Sequence, residues 1–144
     1  MDYTDYDTRL AAYAVILDGP SILLALWNEA AEPEWTMPGG GVELHESVEE
    51  AAVREVREES GYDVRLGRLL GVDSFLIPGH RRHNGSGRVL KSVRVVFEAE
   101  VVGGELTREV GGTTDEARWI PLEEVRSLRR VSLVDRSLRM AGLV

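Results

Sequence analysis

Apolar residues first gather in Leu10-Ala-Ala-Tyr-Ala-Val-Ile-Leu17, which reads as a buried strand. Asp18-Gly19-Pro20 is turn chemistry, and Ile22 to Trp27 reads as the returning strand of a hairpin. Asn28 to Glu34 is a polar loop. Pro38 and Gly39-Gly40-Gly41 then forbid helix. Ser47-Val48-Glu49-Glu50 has the form of a capping box, and Gly61 stands where a helix end favours a left-handed residue, so the pattern predicts a helix over Val48 to Ser60. Val64 to Ile77 and Lys91 to Val102 read as strands separated by a basic loop, His80 to Arg88. Gly103-Gly104 is expected to turn into a short strand, Glu105 to Val110. Gly111 to Thr114 reads as a loop and Ala117 to Ile120 as a strand. Leu122 to Met140 reads as helical with a break near Arg130. Helices and strands that mix without strict alternation favour a mixed sheet covered by helices.

Chain length and charge narrow this further. The 144 residues fit one domain, taken as residues 1–144 with residues 1–8 as a flexible leader. The net charge of −8 argues against a nucleic-acid partner, because neutralising phosphates needs a basic face. Cysteine is absent, which removes thiol nucleophiles, disulfides and cysteine zinc sites together. The N-terminus is acidic where a signal peptide is basic and then apolar, and no apolar run reaches the ~18 residues of a membrane span. These features predict a soluble, cytoplasmic protein without a membrane partner.

The candidate chemistry lies on the helix. On a wheel of about 100° per residue, Val48, Ala51, Ala52 and Val56 form the inward side, while Glu50, Arg54 and Arg57 lie on or toward the other. Glu55 and Glu59 nevertheless fall with the apolar residues, and Glu58 flanks them. Inward carboxylates that repel at i,i+4 and sit at the unfavourable end of the helix dipole break three local rules at once. Such violations mark function. A hard divalent cation resolves them, Mg or Mn, which takes oxygen ligands and shares them with substrate phosphates. The competing reading is a solvated helix end with Arg54 pairing to Glu50 and Glu58. The glycines upstream favour the cation, because they offer backbone amides beside the carboxylates.

Gly40, five residues, Glu46, seven residues and then Arg54-Glu55-Val56-Arg57-Glu58-Glu59-Ser60-Gly61-Tyr62 resemble the Nudix box with every fixed position filled. Tyr62 stands where the family more often has an aliphatic residue. The likeness extends to Met37-Pro38-Gly39-Gly40, to Glu116-Ala117-Arg118-Trp119 and to Pro121-Leu122, covering roughly residues 10 to 130. It implies an α+β fold, an α/β/α sandwich with a mixed sheet. It also implies Mg- or Mn-dependent hydrolysis of a nucleoside diphosphate linked to another group. By the same resemblance Glu55, Glu58 and Glu59 hold metal with the Gly39 carbonyl, Arg54 orients them and Glu46 assists. Glu55 is the first choice as base, with Glu116 or Asp115 as rivals.

The box reads the diphosphate and nothing beyond it. Pro78, sixteen residues after Tyr62, resembles members that cleave ADP-ribose, against the alternative of an ordinary turn. Arg81 and Arg82 are candidates to close over an anionic substrate. Among the aromatic residues Phe75 and Trp35, next to loops, are the preferred partners for a nucleobase, ahead of Trp27, Trp119 and Tyr13. Three readings follow: a hydrolase of ADP-ribose or a nucleotide sugar, a hydrolase of nucleoside triphosphates including oxidised ones, and a non-catalytic nucleotide sensor. A sensor would show eroded carboxylates, and all four are present. Tyr3 and Tyr6 read as a frayed end or a dimer contact, which leaves a homodimer open.

Overall fold

The computed structural model describes residues 1–107, 111, 112 and 114–144, with Asp115 in its backbone alone. Among these residues the chain runs β1 (Asp7–Asp18), β2 (Ser21–Trp27), β3 (Glu34–Thr36), β4 (Gly39–Gly41), α1 (Val48–Ser60), β5 (Tyr62–Ile77), β6 (Leu90–Gly104), β7 (Thr114–Pro121) and α2 (Ser132–Met140). Short 3₁₀ turns cover Gly79–Arg81 and Leu122–Ser127.

The sheet is mixed. Its strand order is β3-β2-β1-β6-β5, with β4 on β1 and β7 on β2. β1 and β6 are parallel, and the other pairings are antiparallel. Alternation along each strand feeds two cores. Ala12, Ala14 and Ile16 of β1, Leu23 of β2 and Val95 and Phe97 of β6 pack under α1 with Ala51, Ala52 and Val56. Val15, Ile22, Leu24, Trp35, Val96 and Ile120 look the other way and pack with Leu133, Val134 and Leu138 of α2. The α/β/α sandwich read from the sequence is the fold observed.

Helix α1 starts and stops as its ends dictate. Ser47 Oγ accepts from the Glu50 amide at 3.0 Å, and Glu50 Oε1 accepts from the Ser47 amide at 2.9 Å. Gly61 closes the helix with φ +82°, its amide donating to the Arg57 carbonyl.

Five expectations are corrected. Gly103-Gly104 make no hairpin: β6 continues through them, Gly103 opposite Asp63 and Gly104 opposite Tyr62. A Cβ on Gly104 would lie 2.3 Å from the Gly61 carbonyl oxygen, so close strand approach, and not a turn, explains the glycine. Glu105–Thr107 form no strand. The Thr107 amide donates to the Ser60 carbonyl, and residues 108–110 lie outside the described residues. The predicted loop Gly111 to Thr114 likewise yields its last residue to β7. A further correction is at Leu122 to Met140, where the break near Arg130 is real but the segment before it is a 3₁₀ turn. The strand of the leading segment begins earlier than expected, at Asp7, whose carboxylate takes bonds from Arg82 and Arg88.

Gly61→Ala is expected to cost about 2 kcal/mol or more, since a side chain is strained at its φ and a Cβ would stand 2.2 Å from the Glu105 carbonyl oxygen. Urea unfolding should show a lower midpoint with an unchanged slope.

Candidate active site

Four carboxylates surround the guanidinium of Arg54. Its Nε donates to Glu46 Oε2 at 3.0 Å and its Nη2 to Glu46 Oε1 at 2.6 Å, a two-pronged bond. Nη1 donates to Glu55 Oε1 at 3.0 Å and to Glu58 Oε2 at 3.2 Å, while Nη2 also reaches the Gly41 carbonyl at 3.1 Å. Glu43 lies 3.9 Å away, and its amide donates to Glu46. The helical wheel turns Arg54 outward. The structure corrects this: a flexible stem carries the guanidinium round to the carboxylates, where it is 27% exposed. Of the two partners in the competing reading it takes Glu58 and leaves Glu50 to the capping box.

Glu59 is held by backbone. It is 4% exposed, as its inward position demands, and its Oε2 accepts from the Gly39 amide at 3.0 Å. Gly40 is the complement to Glu55. A Cβ there would stand 2.7 Å from the Glu55 carboxyl carbon, so glycine makes the room that this carboxylate occupies. Strand β4 thus supplies backbone and empty space where α1 supplies charge.

Arg54 sets the electrostatics. Its hydrogen bonds lower the pKa of Glu46 from the ordinary 4.5 to about 2, with the Glu43 amide helping. The carboxylates in turn raise the pKa of Arg54, with Glu46 the largest contributor.

The donors Glu55, Glu58 and Glu59, with the Gly39 backbone against Glu59, have the chemistry a hard cation takes. Arg54 holds Glu55 and Glu58 and the Gly39 amide holds Glu59, and among the described residues no three Asp, Glu or His side chains are grouped closely enough to hold a metal ion.

The remaining candidates lie elsewhere. Glu116 neighbours Ala117, which packs under α1, so Glu116 faces the opposite side of β7, where both its oxygens accept from Arg118. The structure therefore does not bring it to the cluster, and the side chain of Asp115 lies outside the described residues. Arg82 is committed to the fold, donating to Asp7 at 2.6 Å and to the Arg88 carbonyl at 3.0 Å, whereas Arg81 is exposed. Trp35 is buried in the α2 core under Arg118, and Phe75 lies under Arg94. Pro78 precedes the 3₁₀ turn, its carbonyl accepting from the Arg81 amide, as the ordinary-turn reading expects. The unusual Tyr62 is accounted for by Trp119, whose indole N–H donates to its hydroxyl at 3.0 Å.

The model of the NUDIX domain matches residues 7–139 of this chain. The chain belongs to the NUDIX family. It is 34% identical over 111 residues to an ADP-ribose pyrophosphatase of Methanocaldococcus jannaschii, a match over 77% of this chain and 60% of that protein. The chain thus spans under two thirds of the length of that relative. A Bacillus subtilis protein provisionally named an 8-oxo-dGTP diphosphatase is 43% identical over 65 residues, 45% of this chain and 42% of its own. Among solved structures, a NUDIX hydrolase from Nitrosomonas europaea superposes with a TM-score of 0.79 at 23% identity over 94% of this chain and 89% of its own, a likeness of fold.

Glu46 binds fewer protons in this fold than unfolded below about pH 5, so its contribution is full above its ordinary pKa of 4.5 and is lost as pH falls toward 2. Unfolding measured across that window should show a shallower acid loss in Glu46→Gln than in the natural chain. Gly40→Ala is expected to displace only the tip of Glu55, leaving stability within about 1 kcal/mol. Its turnover should drop by about tenfold or more, measured on the same preparation.

Proposed function

We propose that this chain is a Mg- or Mn-dependent pyrophosphohydrolase that splits the diphosphate of a nucleoside diphosphate derivative, with ADP-ribose or a nucleotide sugar as its class of substrate. The carboxylate cluster around Arg54, held against the side-chain-free strand β4, carries the reaction class. The relative described as an ADP-ribose pyrophosphatase supports the substrate.

A diphosphate resists attack because its oxygens are already negative. A divalent cation, held by Glu55, Glu58 and Glu59 with the Gly39 backbone, supplies positive charge against those oxygens and acidifies a water. The residues of the chain do the rest. The Gly39 amide fixes Glu59, and Arg54 fixes Glu46 and the outer carboxylates, so that their negative charge is gathered before substrate arrives. Glu55, beside Gly40, is the group we assign to take the proton of the attacking water, whose oxygen bonds to phosphorus as the anhydride P–O bond breaks and the leaving phosphate keeps the electron pair. Glu116, turned from the cluster, is the weaker candidate. Arg81 is left as the exposed arginine able to meet an anionic substrate.

A second reading, hydrolysis of nucleoside triphosphates to a monophosphate and pyrophosphate, is favoured by the Bacillus subtilis relative. Product analysis separates the two. With Mg²⁺, AMP and ribose 5-phosphate from ADP-ribose are expected. A nucleoside monophosphate and pyrophosphate from triphosphates alone would overturn the first reading for the second. Turnover should stop on chelation with EDTA and return with added Mg²⁺ or Mn²⁺, and turnover that survives chelation would refute the metal assignment.

A further inference from the structure

The carboxylates meet the diphosphate, and the sheet geometry points to what meets the base. Among the described residues β1 and β2 pair only beside their turn, at Leu17–Ile22 and Asp18–Ser21. Beyond it β1 pairs with β4 and β2 with β3, so the two strands part. The chain from Thr36 to Gly39 joins β3 to β4 between the two strands, with Met37 wholly buried and the Pro38 carbonyl accepting from the Ala14 amide. The glycines of β4 and the carboxylates of α1 stand on the β1 side of this parting, and the end of β2, paired with β3 and β7, stands on the other.

Strand alternation decides which side chain the end of β2 presents. Leu23 packs in one cluster with Val56 of α1, so Leu23, Ala25 and Trp27 share the α1 face. The irregularity at Leu26/Trp27 belongs to β7, where Glu116 and Thr114 stand opposite consecutive β2 residues. The pairing of β2 with β3 passes through Trp27 without a shift. Trp27 is half-buried, and among the described residues its indole N–H has no hydrogen-bond partner. The other aromatic candidates are engaged: Trp119 with Tyr62, Trp35 under Arg118 on the far face, Phe75 under Arg94, and Tyr13 against the α2 core. From Glu34, the partner of Trp27 on β3, to Gly39 is five residues, at most about 18 Å of chain, a span a nucleoside diphosphate can bridge.

We infer that Trp27 is the stacking platform for the nucleobase of the substrate, and that it sets selectivity for a base-bearing diphosphate. This rests on the hydrolase reading only in naming the ligand a substrate, and its test is a binding measurement that needs no turnover. AMP and the base-free probe ribose 5-phosphate are titrated, without hydrolysis, into the natural chain, Trp27→Phe and Trp27→Ala. AMP should quench tryptophan emission in the natural chain but not in Trp27→Phe, which keeps Trp35 and Trp119. Affinity for AMP should fall about tenfold or more in Trp27→Ala and return in Trp27→Phe, while that for ribose 5-phosphate stays the same in all three. With ADP-ribose the loss should appear in KM, not in kcat. Quenching that persists in Trp27→Phe, loss of both ligands alike in Trp27→Ala, or no AMP binding by the natural chain would each overturn the inference. If Trp27→Ala does not fold, the Trp27→Phe titration decides alone. AMP quenching that depends on Trp27, in a protein that hydrolyses no diphosphate, would sink the hydrolase reading and leave the platform standing.

Discussion

The guanidinium of Arg54 lets the end of α1 be what it is. Glu46 just before α1 and Glu55 and Glu58 along it converge on this one cation, and without it their mutual repulsion would splay them into solvent. A planar cation with five donors can hold two oxygens of one carboxylate and still reach two others, which the point charge of a lysine cannot. The Gly41 carbonyl takes one more bond and ties the cation to strand β4. A concentration of negative charge is thereby stored in place, at a fixed distance from the backbone amide that holds Glu59.

That arrangement depends on β1 serving two partners. Strand β1 runs from Asp7 to Asp18 and is parallel to β6 for most of its length, which makes it the fixed spine of the sheet. Its other edge is divided between β2 at one end and β4 further along. The division brings three glycines under α1 and sends the end of β2 away from them. Tyr13 and Ala12 press so closely on Gly39 that a Cβ there would fall 2.2 Å from the Ala12 carbonyl oxygen. The strand that carries the site therefore admits no side chain at that point.

Much of this was legible in the sequence, and what was not shares a cause. The span of α1, its two caps and the buried position of Glu59 follow from local rules that need only neighbouring residues. The direction of Arg54 did not follow, because a wheel records where a Cα points and not where a long side chain ends. Glu43 and the Gly41 carbonyl gave no signal, since their part in the cluster exists only once the chain between β4 and α1 has turned. Gly103-Gly104 misled because the same dipeptide serves a turn or a close strand contact, and only the partner strand distinguishes them. Nearness to loops did not foretell where Trp35 and Phe75 stand, because strand faces place them and faces are set by pairing partners far along the chain. The mutual hold of Asp7, Arg82 and Arg88 joins residues some eighty positions apart, beyond any local pattern.

The charged cluster and the end of β2 come from separate stretches of chain. Every group on Arg54 lies between Gly41 and Glu58, so the cluster is written in one short, nearly contiguous passage, while β2 ends at Trp27, before that passage begins. If Trp27 carries the role we infer for it, a single base change at the end of β2 alters which molecules bind without disturbing a single ion pair. Descendants of one ancestral sequence can keep the chemistry word for word and still come to act on different nucleotides.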